Sequence, residues 1–496
     1  MTTVRDGGPY LLRTNDYALP VRIAQSASAA EGAVMSTADF RRWLETRNDI
    51  AGGRVTTIPF AELNGWRFDD ITGNLGHVSG KFFTVQGLDV RTDSGPIQHW
   101  TQPIINQPEI GILGIVVKEF GGVLHCLMQA KMEPGNCNGV QLSPTVQATR
   151  SNYSRVHKGA AVPYLNYFQQ PNDYRVVADV LQSEQGSWFF QKRNRNIVVE
   201  VTEDVQLLEG FCWLTIGQLH SLLLVDDLVN MDSRTVLSCL PFTGPGLSAI
   251  YPSPHDAFDS ALVRSSSEDR GALHTSSEIL SWVTESRTLN EVSATTVPLN
   301  SVSDWSRTES KISHDSGAFF DVIAIDVEIN GREVSGWSQP MIDPVGIGLV
   351  AFLIREVGGV LHVLVNSRIE PGYLDVAELA PTVQCTPRNY DHLPPDSLPP
   401  YVDLVLSAPA DRVRFDTVLS EEGGRFYHAR NRYLLIDAPD NIEPADGDDF
   451  RWMALHQLVD LIRHSHYVNV QARTLVACLY SLWGATDRGE VGGNAS

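Results

Sequence analysis

The sequence predicts an α+β fold made of two copies of one module, and three observations carry that prediction. His99–Tyr153 and Gly336–Tyr390 align without a gap at an offset of 237, with 24 of 55 positions identical. Each copy contains two apolar runs broken by Gly-Gly, the signature of a hairpin of buried strands. Further along each copy, apolar residues fall at helical spacing. A match of this length is a duplicated domain rather than a short-period solenoid.

The same offset pairs His77 with His314, Phe82–Phe83 with Phe319–Phe320, and Arg193–Arg195 with Arg430–Arg432. An offset of 239 pairs Trp43 with Trp282, Trp66 with Trp305, Trp213 with Trp452, Gln218 with Gln457 and Cys239 with Cys478. The expected organisation follows. Residues 1–35 form an extension, 36–245 repeat one, 246–276 a Ser-, Gly- and Pro-rich linker, 277–485 repeat two, and 486–496 a flexible tail.

Within each repeat the elements read in order. "IGILGIVVKEFGGVLHCLMQAKM" and "IGLVAFLIREVGGVLHVLVNSRI" are the hairpins. "VQLSPTVQATRSN" is too polar for a buried strand and reads as a loop or short helix. "FCWLTIGQLHSLLL" and "FRWMALHQLVDLIR" read as helices whose Trp, Leu and Met residues pack on the sheet.

Composition narrows the function. The chain has 496 residues, 43% hydrophobic and 20% charged, with ample material for large cores. A net charge of −21 argues against a general nucleic-acid binder, but a pocket on an acidic protein can still be locally basic. The six cysteines form no C-x-x-C pair, and most lie in apolar runs, as buried free thiols do in a reducing cytoplasm. No run reaches the ~18 apolar residues of a membrane span. No G-x-G-x-x-G opens a convincing βαβ unit, which fits a chemistry without a redox cofactor.

The two hairpins end in "QAKMEPG" and "NSRIEPG". This resembles the lead-in to a Nudix helix, yet the R-E-x-x-E-E signature that holds divalent metal is missing from "VQLSPTVQATRSNY" and "AELAPTVQCTPRNY". The likeness therefore implies fold and not hydrolysis, with no metal site. "QAKMEPGNCNGVQLSPTVQATRSNY" followed by "SEQGSWFFQKRNRN", within a duplicated architecture, resembles the NDP-hexose 2,3-dehydratases of deoxysugar biosynthesis. The resemblance runs from about Phe40 to Tyr480. It implies two tandem Nudix-like domains, a homodimer, a dTDP-linked 4-keto-6-deoxyglucose as substrate, and a downstream 3-ketoreductase to take up the unstable product. Two other functions remain open: a Nudix-type diphosphate hydrolase with rearranged ligands, and a non-catalytic nucleotide-sugar-binding protein.

The implied reaction needs a base near C3, an acid near O2 and donors facing the C4 enolate. Residues peculiar to one copy are the better candidates for chemistry: His99 against Gly336, Lys131 against Arg368, Asn136 against Tyr373, Lys192 against Ala429. The working site is thus expected mainly in repeat one. Glu133, Tyr153 and His99 are the candidate acid and base, with Lys131 on the enolate. Diphosphate recognition calls for cations, hydroxyls and amides, offered by Thr149, Arg150, Ser151, Asn152 and Tyr153, and by Arg388, Asn389 and Tyr390 in repeat two. Ser187, Arg193 and Arg195 are further phosphate candidates, and Trp66 and Trp305 are candidate stacking platforms for thymine. Each also admits a structural role: Glu133 fixing the Glu-Pro-Gly turn, Lys131 pairing with it, His99 lying on the surface, the tryptophans packing in the core.

Overall fold

The structure is a computed structural model. It describes residues 16–483 apart from 17, 96, 154–160, 245–246, 248–256, 330–333, 335, 392, 394–396, 441 and 443–448. The expected tail, 486–496, lies outside the described residues.

The α+β prediction and the duplication both hold. Each half carries a seven-stranded mixed sheet. In the first half its main path runs Arg175–Ser183, Arg193–Val201, Gly111–Phe120, Val123–Met132, Phe211–Thr215. Arg193–Val201 pairs parallel with Gly111–Phe120, and the other neighbours pair antiparallel. The second half repeats this order. Both hairpins turn on their Gly-Gly, with φ of 58° and 84° at Gly121 and Gly122 and 59° and 80° at Gly358 and Gly359. Two consecutive positive φ values suit the tight turn that matches strand twist, and only glycine adopts them freely.

Two readings are corrected. "VQLSPTVQ" is not a loop: Val140–Ser143 pairs with Val123–Met132, and Val146–Ala148 with Gly111–Phe120. Its polar side chains are buried because they bond internally, Ser143 Oγ to Gln147 Oε1 at 2.9 Å and Thr145 Oγ1 to the Leu127 carbonyl. The two supposed long helices are each a strand followed by a helix. Phe211–Thr215 is buried at every position, so it shows no alternation to betray a strand. The switch comes at Thr215, whose Oγ1 accepts from Gln218 N at 3.0 Å while Gln218 Oε1 accepts from Thr215 N at 3.0 Å.

Helix Ala18–Ala27 falls within the expected extension, and helix Ala257–Ser265 within the expected linker. Each docks on its own half through a serine and an arginine: Ser26 Oγ donates to Leu124 O at 2.6 Å while Arg22 pairs with Glu119 and Glu200, and Ser265 Oγ donates to Leu361 O while Arg264 donates to Gly359 O. Both are short and lie outside the two segments that the repeat alignment matches, so the comparison of the copies did not reveal them. Among the described residues no helix is long and apolar enough to cross a membrane.

The halves interlock. Gly53–Ile58, from the first half, completes the second half's smaller sheet by pairing with Phe320–Ile329. Val292–Val297, from the second half, pairs with Thr84–Thr92 in the first. At the centre, helices Met231–Ser238 and Val470–Ser481 pack together around two fully buried arginines. Arg234 donates to Val229 O and to Ser420 O, both at 2.6 Å. Arg473 donates to Val468 O at 2.6 Å and to Ser183 O at 2.7 Å. Each guanidinium thereby ties the end of a strand in the other half, Val413–Ser420 for Arg234 and Arg175–Ser183 for Arg473.

The Glu-Pro-Gly turns make a third cross-half contact. Gly135 N donates to Gly423 O at 2.7 Å, and Gly372 N to Gly186 O at 2.8 Å. A Cβ on Gly372 would lie 1.9 Å from Phe189 O and 2.3 Å from Gly186 O. Backbone cannot yield as a flexible side chain does. Gly372→Ala is therefore expected to lower unfolding free energy by about 1–3 kcal/mol, read by denaturant titration; unchanged stability would refute the close-approach role.

Candidate active site

Glu-Pro-Gly also places chemistry. Strand Val123–Met132 ends where Pro134 cannot continue the ladder, and Gly135 locks onto the other half. Lys131 and Glu133 thus project from the strand's end into a cavity of about 370 Å³. The wall comes from both halves. Repeat one supplies Trp66, His77, Lys131, Glu133, Thr149, Glu184, Lys192, Asn194 and Asp232, and repeat two supplies Trp337, Ser338, Gln339, Glu422 and Arg425.

Some of these groups are held by neighbours. Gln147 Nε2 donates to Glu133 Oε1 at 2.8 Å, and Lys131 Nζ, 3.9 Å from that oxygen, donates to Gln147 O at 3.1 Å. Asn194 Nδ2 donates to Glu184 Oε1 at 2.6 Å. Lys192 Nζ donates to Glu109 O. Arg425 donates to Gln107 Oε1 at 3.2 Å and lies over the Phe83 ring at 4.4 Å. Other atoms are buried with no protein partner: Glu184 Oε2, Asp232 Oδ1, Glu422 Oε2 and Gln107 Nε2. Buried polar atoms are normally bonded, so these atoms on the wall mark where a polar ligand would complete the site.

Burial sets the protonation states. It pushes the Glu184 carboxyl up and Asp232 well up, with neighbouring carboxylates adding to the effect on Asp232. Glu422 is pushed up to about 7 by burial, against the nearby Arg425. Lys192 is pulled down to about 8 by burial, against Glu184. The cavity therefore holds proton donors and acceptors near neutrality, the condition for acid–base work. Among the described residues no group of His, Cys, Asp and Glu is placed to hold a metal ion.

Of the residues the sequence singled out, the structure brings Trp66, Lys131, Glu133 and Thr149 together on this wall. Trp66 is buried with Nε1 donating to Ser338 O at 2.9 Å, a bond across the halves. Ser151 lies just behind, its Oγ donating to Glu109 Oε2 at 2.9 Å, and Arg150 is exposed. Asn152 and Tyr153 end the helix Arg150–Tyr153, and their side chains lie outside the described residues.

The other candidates sit off the wall. His99 is exposed, with Nε2 3.2 Å from Asp89 Oδ2. Arg195 is engaged by Asp179 at 2.5 Å, and half-buried Arg193 lies near His466. The Ser187 carbonyl accepts from Gln102 Nε2 at 2.8 Å. Trp305 Nε1 donates to Thr101 O at 3.1 Å, the counterpart of the Trp66 bond. Asn389 Oδ1 accepts from Phe319 N at 2.9 Å, between exposed Arg388 and half-buried Tyr390.

The corresponding region of the second half is altered. Ala429 stands for Lys192, Gln471 for Asp232, Gln185 for Glu422 and Trp188 for Arg425. Tyr373 replaces Asn136 and is buried there, its hydroxyl accepting from Asn469 Nδ2 at 3.2 Å. Arg368 pairs with Glu370 at 2.9 Å. Asymmetry between the copies marks Lys131 and Lys192 in the sequence, and it marks Asp232 and Glu422 in the same way, opposite Gln471 and Gln185. Glu184 left no such signal, since Glu421 matches it.

A family model described as NDP-hexose 2,3-dehydratase matches residues 37–240 and again 276–479. The chain is 51% identical over 468 residues to a dTDP-4-dehydro-6-deoxy-alpha-D-glucopyranose 2,3-dehydratase of Saccharopolyspora spinosa, spanning 93% of this chain and 95% of the relative. Relatives of the same description from Amycolatopsis orientalis and Streptomyces violaceoruber are 49% and 47% identical. They cover 94% and 90% of this chain and 94% and 98% of their own lengths.

The cavity's electrostatics can be checked directly. With lysines ¹³C-dimethylated, one NMR signal is expected to titrate near pH 8, well below the others, and to vanish in Lys192→Arg. A Lys192 signal titrating with the surface lysines would contradict the buried, charge-penalised position.

Proposed function

The chain belongs to the NDP-hexose 2,3-dehydratase family, and on that premise we propose that it acts on dTDP-4-keto-6-deoxy-D-glucose. It removes the C3 proton and the C2 hydroxyl to give a 3,4-diketo-2,6-dideoxy sugar nucleotide. The observation that carries this reading is the cavity in the first half. It sets lysines against carboxyl groups whose proton affinities burial has raised towards neutrality.

The C4 ketone acidifies the C3 proton. Loss of that proton puts charge on O4, which a lysine ammonium at the Lys131 or Lys192 position stabilises. Expulsion of the C2 hydroxyl requires a proton, and a buried carboxyl kept neutral is suited to give it. Glu133, tied to Gln147, lines the same cavity as an acid–base candidate. The nucleotide end is assigned to Thr149–Tyr153, where exposed Arg150 offers a cation to the diphosphate. Trp66, beside Phe83 at 4.7 Å, walls the cavity with aromatic surface. The diketone is reactive, so a 3-ketoreductase is the expected next enzyme, and a homodimer the expected assembly.

The test is incubation of the purified protein with dTDP-4-keto-6-deoxyglucose in EDTA, with a 3-ketoreductase and NADPH to trap the product. A 2,6-dideoxy sugar nucleotide is the expected outcome. None formed, with or without added divalent metal, would overturn the proposal.

A further inference from the structure

Among the described residues Glu422 is the one carboxylate on the cavity wall that the second half supplies. Its counterpart in the first half is Gln185, so no repeat-wide structural need calls for an acid at this position. Glu422 Oε1 accepts from Gly424 N at 3.1 Å, while Oε2 is shielded from solvent and without a protein partner. The backbone after it allows close approach to the first half. A Cβ on Gly423 would lie 3.0 Å from Glu133 Cβ and 2.5 Å from Asn136 Oδ1. One oxygen is thus anchored, and the other is left for a ligand.

We propose that Glu422, contributed by the second half, is the base that takes the C3 proton in the first-half cavity. This rests on the dehydratase reading above. Glu184 and Asp232, which are nine-tenths buried or more, each keep an unpartnered oxygen on the same wall. The charged groups facing Glu422 are Arg425 on its own loop, with Glu133, Glu184, Asp232 and Lys192 across the cavity. The three buried or neighbouring carboxyls oppose a further negative charge, and Arg425 and Lys192 favour it.

Roles divide accordingly. Asp232, whose carboxyl burial and the neighbouring carboxylates push well up, serves as the donor; Glu422, pushed up to about 7 with Arg425 favouring its charge, serves as the acceptor. Glu422 takes the C3 proton and the C3–H pair moves towards O4. The C2–O bond then breaks, its oxygen leaves as water with the Asp232 proton, and the pair closes C2=C3. The enol so formed tautomerises to the C3 ketone. One water is lost, and no redox change occurs.

Glu422→Gln installs the side chain that Gln185 already carries at the related position, so the fold is expected to accept it. Its kcat is expected to fall about 10²- to 10⁴-fold with KM changed little. Wild-type kcat should decline below about pH 7, as the base is protonated, and Glu422→Gln should lose this acid limb. Turnover near the wild-type rate, or an intact acid limb in Glu422→Gln, would overturn the assignment. Should that variant fail to fold, Glu422→Asp decides: reduced kcat with the acid limb kept supports the base, and unreduced kcat overturns it. Wild-type enzyme run in parallel separates the two claims, because its failure to dehydrate would remove the functional reading itself.

Discussion

The reciprocal exchange of strands between the halves is the constraint on which the rest depends. Gly53–Ile58 and Val292–Val297 each complete a sheet in the other repeat, so neither smaller sheet closes within its own half. The exchange also carries each half's chain onto the other, which brings Trp66 against Ser338 and Trp305 against Thr101. Once the halves are joined this way, Gly135 and Gly372 meet the opposite backbone. Arg234 and Arg473 bind carbonyls at strand ends of the opposite half. The largest apolar cluster accordingly includes residues of both halves, from Leu19 to Trp483.

That geometry accounts for a composite site. Two related half-sites sit at the interface, and divergence has separated them. In one, Lys192, Asp232, Glu422 and Arg425 meet on a cavity wall. In the other, Ala429, Gln471, Gln185 and Trp188 take their places and Tyr373 occupies space. There Glu421 is satisfied by Gln185, Asn431 and Tyr433 at 2.7–2.8 Å, whereas Glu184 keeps an unpartnered oxygen. The contrast is confined to this pair of carboxylates, since Glu370 Oε2, Gln185 Oε1 and Gln471 Oε1 also lack a partner in the second half-site.

Much of this was legible in the sequence, for identifiable reasons. The 237-residue offset exposed the duplication, and Gly-Gly fixed both hairpins because only glycine turns so tightly. Comparing the copies pointed to Lys131 and Lys192 in the first half. The strand Phe211–Thr215 was hidden because burial on both faces erases its alternation. His99 looked catalytic by its asymmetry, but strand register sets it on an exposed edge beside Asp89. The role of Glu-Pro-Gly was open. It ends a strand, presents Glu133 and lets Gly135 approach the partner loop, and this last contact depends on a fold that no local pattern encodes.

The central claim is that one cavity, walled by both repeats, holds the reacting sugar. The most direct measurement is a crystal structure with a dTDP-linked, non-eliminating analogue of the 4-keto sugar. The account predicts the hexose ring between Lys131 and Glu133 on one side and Glu422 and Arg425 on the other. A hexose seated around Tyr373, or one touching residues of a single repeat, would contradict it.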